Sequence, residues 1–195
     1  MSGAEQVEIE RKWVLRELPA RLVACETGHA DPQVERVRLR QGYLRPPTDA
    51  EVEAFAASSS RGHDPGPIRF GRLRAVESAS GTRHLHTVKS GQGLVRREIE
   101  RPIDAESFRR SWPETEGRRI EKTRWLVREN GAGGIWEIDR FDAIDLVLAE
   151  IEAPDEAAAA AIRIPDWLAP VVAREVTHEP AFTNAEIALR LGLGG

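Results

Sequence analysis

The chain has 195 residues, 41% of them hydrophobic and 31% charged, which suits one globular domain with a substantial core. Its net charge of -4 gives no bulk attraction to nucleic acid or to an anionic membrane. A single cysteine, Cys25, excludes an internal disulfide and a multi-cysteine metal site. No apolar run approaches the roughly 18 residues that cross a bilayer. The acidic N-terminus lacks the apolar core of a signal peptide. The expectation is a soluble cytoplasmic protein, free of membrane and nucleic acid, with a homodimer left open.

The first strand-like run covers 7–15. With period two, Glu8, Glu10 and Lys12 share one face, and Ile9, Arg11 and Trp13 the other. A short helix or loop through Cys25 and a turn at Asp31-Pro32 follow. Residues 34–45 read as a second strand. Gly42 interrupts it and could shift its phase, so Arg36, Arg38 and Arg40 are not assigned to a face. The stretch 46–67 is rich in Pro, Ser and Gly; it reads as a long mobile loop with a helical turn at 49–57. Run 68–76 puts Arg72 and Arg74 on one face. Run 83–89 puts Thr87 and Lys89 in phase, and 94–103 aligns Arg96, Glu98 and Glu100; short turns make these strands a hairpin series. Asp104 caps a helix over 105–112.

Run 118–129 sets Lys122 and Arg124 opposite Thr123, Trp125 and Val127. A Gly-rich turn at 130–134 leads to 135–142, where Glu137 and Asp139 oppose Trp136 and Ile138. Run 146–152 sets Glu150 and Glu152 against Val147, Ala149 and Ile151. Helices are expected over 155–162, over 167–172, and over 185–191 with a cap at Thr183-Asn184 and an end at Gly192. His84-x-His86 belongs on the sheet's outer face or edge. Trp13, Trp125 and Trp136 belong in the core.

About eight strands result, mostly antiparallel, seven of them with charges in phase and an apolar opposite face. Two arrangements fit this periodicity equally: a half-buried sheet with its charges in water, and a closed barrel with charges inside and helices over its apolar outside. The in-phase bases are Lys12, Arg72, Arg74, Lys89, Arg96, Lys122 and Arg124. The acids are Glu8, Glu10, Glu98, Glu100, Glu137, Asp139, Glu150 and Glu152. Such near-neutrality is what an enclosed ionic lining requires, because an unpaired buried charge is expensive. Dense Arg and Lys suit a polyanion, since Arg grips phosphate oxygens bidentately. Clustered carboxylates suit a hard divalent cation, and Mg²⁺ is typically shared between one or two carboxylates and substrate phosphates. The chemistry therefore points to a metal-complexed polyphosphate.

The motifs, in this order and spacing, resemble the CYTH superfamily of triphosphate tunnel metalloenzymes. Glu8-Ile9-Glu10-Arg11-Lys12 matches its E-x-E-x-K signature. The likeness continues through Gly71-Arg72-Leu73-Arg74, Thr87-Val88-Lys89 and Arg96-Arg97-Glu98-Ile99-Glu100. It is closest at Ile120-Glu121-Lys122-Thr123-Arg124-Trp125, Trp136-Glu137-Ile138-Asp139-Arg140-Phe141 and Leu148-Ala149-Glu150-Ile151-Glu152. Arg174-Glu175-Val176-Thr177 and Asn184 resemble the closing segment of short bacterial members. The likeness spans nearly all of 1–195 as a single CYTH domain, the 46–67 loop excepted.

The resemblance implies an α+β fold: an eight-stranded antiparallel β-barrel, the triphosphate tunnel, covered by helices. It implies Mg²⁺- or Mn²⁺-dependent hydrolysis of inorganic tripolyphosphate to pyrophosphate and phosphate. Lys12, Arg72, Arg74, Lys89, Lys122 and Arg124, with Arg96, would bind phosphates. Asp139, Glu150 and Glu152 would hold the bridging metal. Glu8 and Glu10 would hold a second metal or position the attacking water, with Lys12 at the catalytic centre. Glu98, Glu100 and Glu137 would balance and orient the bases. Phe182-Thr183-Asn184 departs from the tyrosine-rich closing segment of the family pattern, which puts the choice of substrate in question. Alternative readings are a class IV-type adenylate cyclase, a triphosphatase acting on ATP or thiamine triphosphate, and a non-catalytic polyphosphate-binding module.

Overall fold

The computed structural model describes residues 6–7, 9–57, 67–90, 97–129 and 134–194. The first elements are β1 (Gln6–Val7), β2 (Ile9–Leu15), α1 (Ala20–Glu26), β3 (Val34–Tyr43) and α2 (Asp49–Ala57). The hairpin series is β4 (Arg72–Ser78), β5 (Gly81–Ser90) and β6 (Arg97–Ile103), and α3 (Ala105–Ser111) follows it. The remaining elements are β7 (Arg119–Arg128), β8 (Ile135–Phe141), β9 (Val147–Ala153), α4 (Glu156–Ala161), β10 (Val172–Glu175) and α5 (Asn184–Leu193).

This is the expected α+β class. Among the described residues the strand order is β1-β6-β5-β4-β3-β7-β8-β9-β2-β10. Its eight long strands, β2 to β9, are those predicted, with a short strand added at each end. The registered pairs are antiparallel; a single parallel bridge joins Arg45 to Phe70. Residues 6–7 pair with β6 and residues 9–15 with β9, so the N-terminal segment serves two separate parts of the strand order.

Contact density divides the described chain into two compact units. One holds residues 9–38 and 122–180; the other holds β1, 39–121 and 181–194. Strands β3 and β7 run through both. In the 9–38/122–180 unit, Trp13, Leu15, Trp125, Val127, Trp136, Ile138, Ala149 and Ile151 form the core with Leu22 of α1 and Leu168. Trp125 is fully buried, and the Trp13 and Trp136 rings lie 5.3 Å apart, as expected of core tryptophans. Burying one such side chain contributes about 1.5–3 kcal/mol. In the other unit Leu73, Ala75 and Leu44 pack under Phe108 of α3. His84 and His86 share that covered face: the His84 ring lies tilted 4.6 Å from Phe108, and His86 meets Phe55 of α2 edge-on at 4.8 Å. In both units the apolar face is covered and the charged face is the other one.

The structure extends several sequence readings. The helical turn at 49–57 is a full nine-residue helix, α2. Residues 58–66 of the expected loop, and 130–133 of the expected Gly-rich turn, lie outside the described residues. Strand β3 runs straight through Gly42, where a Cβ would stand 2.5 Å from the Thr115 side chain; close approach, not a bulge, calls for glycine. Helix α5 continues past Gly192 to Leu193. There a Cβ would collide with the Gly117 carbonyl oxygen, so this glycine serves packing, not termination. The helix expected at 167–172 is a 3-10 turn at Ala169–Val171 leading into β10. The predicted caps hold: Asp104 accepts from Ser107 N at 2.7 Å and Thr183 from Glu186 N at 3.3 Å; Asp155, expected inside its helix, caps it instead, accepting from Ala158 N at 2.7 Å. No helix among the described residues is long and apolar enough to cross a membrane.

Candidate active site

Two ionic clusters arise, one in each unit, because period two sends every second side chain of neighbouring strands to a single face. The first occupies β7, β8, β9 and β2. Register places Arg124 across from Asp139, Glu137 from Glu150, Glu150 from Lys12, and Glu152 from Glu10. Asp139 is completely buried. It accepts from Lys122 Nζ at 2.5 Å, from Arg124 Nε at 2.6 Å and from Arg124 Nη2 at 2.6 Å. Arg124 also pairs with Glu137 and lies 3.4 Å from Glu150. Lys12 Nζ sits 2.9 Å from Glu150 Oε1 and 3.2 Å from Glu10 Oε1.

Burial and charge pull against one another here. Burial alone would raise the Asp139 carboxyl, but Arg124 and Lys122 outweigh it and hold the group below the usual carboxylate range. Complete burial brings the Lys122 ammonium down to about 8, opposed by Asp139 and reinforced by repulsion from Arg124. For Lys12 burial works downward, yet Glu150 and Glu10 more than compensate and raise the group. Burial lifts Glu137, against the pull of Arg124.

Three cations, Lys12, Lys122 and Arg124, thus face five carboxylates, Glu10, Glu137, Asp139, Glu150 and Glu152. Glu10 and Glu152 stand opposite one another and are the more exposed members of the set. Among the described residues no group of three or more His, Cys, Asp and Glu is gathered closely enough to hold a metal ion unaided. The donors nevertheless suit a hard divalent cation that completes its shell with phosphate oxygens and water. Lys122 and Arg124 hold both oxygens of Asp139, and Lys12 and Arg124 lie against the two oxygens of Glu150.

The second cluster lies on β4, β5 and β6. Arg72 Nη2 donates to Thr87 Oγ1 at 3.1 Å and to Glu98 Oε1 at 3.0 Å, with Glu100 Oε2 at 3.4 Å. Arg74 stands 3.8 Å from Glu100, and Lys89 Nζ 2.5 Å from Glu98. The Nε of Arg72 is buried without a hydrogen-bond partner among the described residues, a donor that an anion would satisfy. Among the described residues three bases of this cluster, Arg72, Arg74 and Lys89, pair with two acids, Glu98 and Glu100. The predicted residues Glu8 and Arg96 lie outside the described residues.

Sequence reasoning missed Gln41 and Tyr43. Gln41 is fully buried, donates from Nε2 to Tyr43 Oη at 3.2 Å, and belongs to the same unit as the second cluster. Burial raises the Tyr43 phenol, while Arg72, Arg74 and Lys89 pull it down. The signal was their phase with Val37 and Leu39, obscured by reading Gly42 as an interruption. The unassigned arginines belong to neither cluster: Arg38 pairs with Asp142, and Arg40 with Glu121 at 3.3 Å.

Comparison with known proteins agrees with this architecture. No family model matches the chain. A curated inorganic triphosphatase from Nitrosomonas europaea is 35% identical over 186 residues, covering 94% of this chain and 98% of that protein. The solved structure of the inorganic triphosphatase NE1496 aligns over 93% of this chain and 94% of its own, with TM-score 0.53 and 32% identity. A further structure, of the hypothetical protein NE1496, aligns over 93% and 97% with TM-score 0.55 and 33% identity. The chain belongs to the inorganic triphosphatase family, within the CYTH superfamily that its motifs resemble.

Proposed function

We propose that this chain hydrolyses inorganic tripolyphosphate to pyrophosphate and phosphate, with Mg²⁺ or Mn²⁺. The observation that carries the reading is the β2–β9 patch, where Lys12, Glu10, Glu150 and Glu152 bring an ammonium and three carboxylates together on one face. A relative that is itself an inorganic triphosphatase, similar along nearly its whole length, supports the choice of substrate. Lys12, Lys122 and Arg124 neutralise phosphate oxygens, so negative charge building on the leaving group meets cations already held in place. Arg72, Arg74 and Lys89, with Arg96, bind phosphates on the same charge argument. Glu10, with Glu8, orients the attacking water in line with the terminal phosphorus. Glu150 and Glu152, with Glu8 and Glu10, would hold the divalent cation, which when bound supplies Lewis-acid neutralisation of phosphate charge. Asp139 keeps Lys122 and Arg124 in place; Glu98, Glu100 and Glu137 set the charge balance.

The test is phosphate release from tripolyphosphate and from ATP, side by side, with Mg²⁺, Mn²⁺ or EDTA, together with detection of cyclic AMP. The expected outcome is metal-dependent release much faster from tripolyphosphate. Cyclic AMP with pyrophosphate would instead assign the cyclase reaction. Tight polyphosphate binding without turnover under every condition would leave a binding module.

A further inference from the structure

On the flank of β2 away from β9, Lys12 is gripped by a segment that has just ceased to be a strand. Strand β10 ends at Glu175, and the chain then turns, with Glu179 N donating to Val176 O at 3.0 Å. Val176 N donates to Lys12 O at 2.8 Å. The Lys12 N–H donates to Thr177 Oγ1 at 3.1 Å. A side-chain oxygen therefore takes the rung that a strand carbonyl would fill, and it must be aimed. Thr177 spends its own proton on Glu175 Oε1 at 2.6 Å, which turns its lone pairs toward Lys12. Glu175 is in turn fixed by Arg11, whose Nε and Nη2 donate to its two oxygens at 2.9 and 2.6 Å. The third nitrogen of Arg11 reaches Ala159 O at 3.3 Å and Ile162 O at 3.4 Å, anchoring the fork to α4 and the residue that follows it.

From this geometry we infer that Thr177 is a positioning residue for Lys12: its hydroxyl, aimed by Glu175 and Arg11, fixes the Lys12 backbone and so where the ammonium meets its anion. A backbone shift at Lys12 displaces the ammonium from Glu10 and Glu150, and a small misplacement of a charge-stabilising group lowers turnover steeply. The kinetic consequence rests on the triphosphatase reading; the positional one does not.

Two measurements separate them. Thr177→Val keeps the side-chain shape and deletes the hydroxyl; Thr177→Ser keeps the hydroxyl. In the full chain, Thr177→Val should lower kcat for tripolyphosphate about tenfold with KM changed far less. Thr177→Ser should return kcat to within about twofold of the parent. Independently of activity, amide hydrogen exchange followed by NMR should show the Lys12 N–H exchanging faster in Thr177→Val and protected in Thr177→Ser. If Thr177→Val does not fold, Glu175→Gln, which weakens the Arg11 fork, should also speed Lys12 exchange. Parental Lys12 protection in the folded Val variant, or in Glu175→Gln if that variant is the one that folds, overturns the inference. A parent chain without turnover, combined with accelerated Lys12 exchange, would sink the triphosphatase reading and leave the positioning link standing.

Discussion

Asp139 and Glu152 carry the same charge on adjacent strands and answer to different physics. Asp139 is a fully buried carboxylate with three charge-assisted hydrogen bonds from Lys122 and Arg124. Removing its charge strands two buried cations, so Asp139→Asn should destabilise the fold by about 3–5 kcal/mol, measured by urea unfolding. Glu152 is exposed. Glu152→Gln should leave stability within about 0.5 kcal/mol, while metal-dependent phosphate release falls about a hundredfold or more, as for loss of a direct metal contact. Full activity in Glu152→Gln would remove that residue from the metal site. Glu10→Gln should likewise lower metal-dependent phosphate release, since Glu10 lies directly across from Glu152.

At the scale of elements, two contacts define how strands meet their cover. Gly42 lets β3 pass beneath Thr115, which is fully buried and held by its own bond to Trp112 O at 2.7 Å and by Arg119 Nε at 2.8 Å. Gly42→Ala should therefore cost about 1–3 kcal/mol. The double variant with Thr115→Ala should lose less than the sum of the two single losses, as denaturant titration of the four proteins would reveal. His86, under α2, is bonded through Nε2 to Phe70 O at 2.8 Å and ringed by Phe55 and Phe70. Burial lowers its pKa from 6.5; the bond to Phe70 opposes this, and Arg101 adds to it. The folded state therefore resists a proton that the unfolded chain accepts, and stability falls as pH drops below 6.5. The melting temperature should decline from pH 7.5 to 5.5, and His86→Gln should shallow that decline. An unchanged slope would place the titration elsewhere.

For the molecule as a whole, charge is sorted, not scattered. The chain is nearly neutral at -4, yet among the described residues acids exceed bases in the cluster on β2, β7, β8 and β9, and bases exceed acids in the cluster on β4, β5 and β6. Within the cluster on β2, β7, β8 and β9 the carboxylates suit a divalent cation that also takes phosphate oxygens. Saturating Mg²⁺ should accordingly raise the melting temperature by about 2–4 °C. The rise should disappear in Glu152→Gln, and calorimetry or a dye-based melt can read it.

By itself the sequence determined the eight long strands, the in-phase charges on seven of them, and the helix caps at Asp104 and Thr183. These follow from local causes: period-two alternation, short polar turns and side chains that satisfy the nearest backbone N–H groups. Tertiary structure alone decided that Asp139 is fully buried against Lys122 and Arg124 while Glu152 is exposed, because the two are alike in periodicity and differ only in burial and in the strands beside them. It also decided that Gly42 and Gly192 answer to close packing against Thr115 and Gly117, that Gln41 and Tyr43 share a unit with the second cluster, and that Thr177 closes a rung on Lys12 from 165 positions away. Register and long-range contact depend on the whole set of strands at once, and no local pattern encodes them.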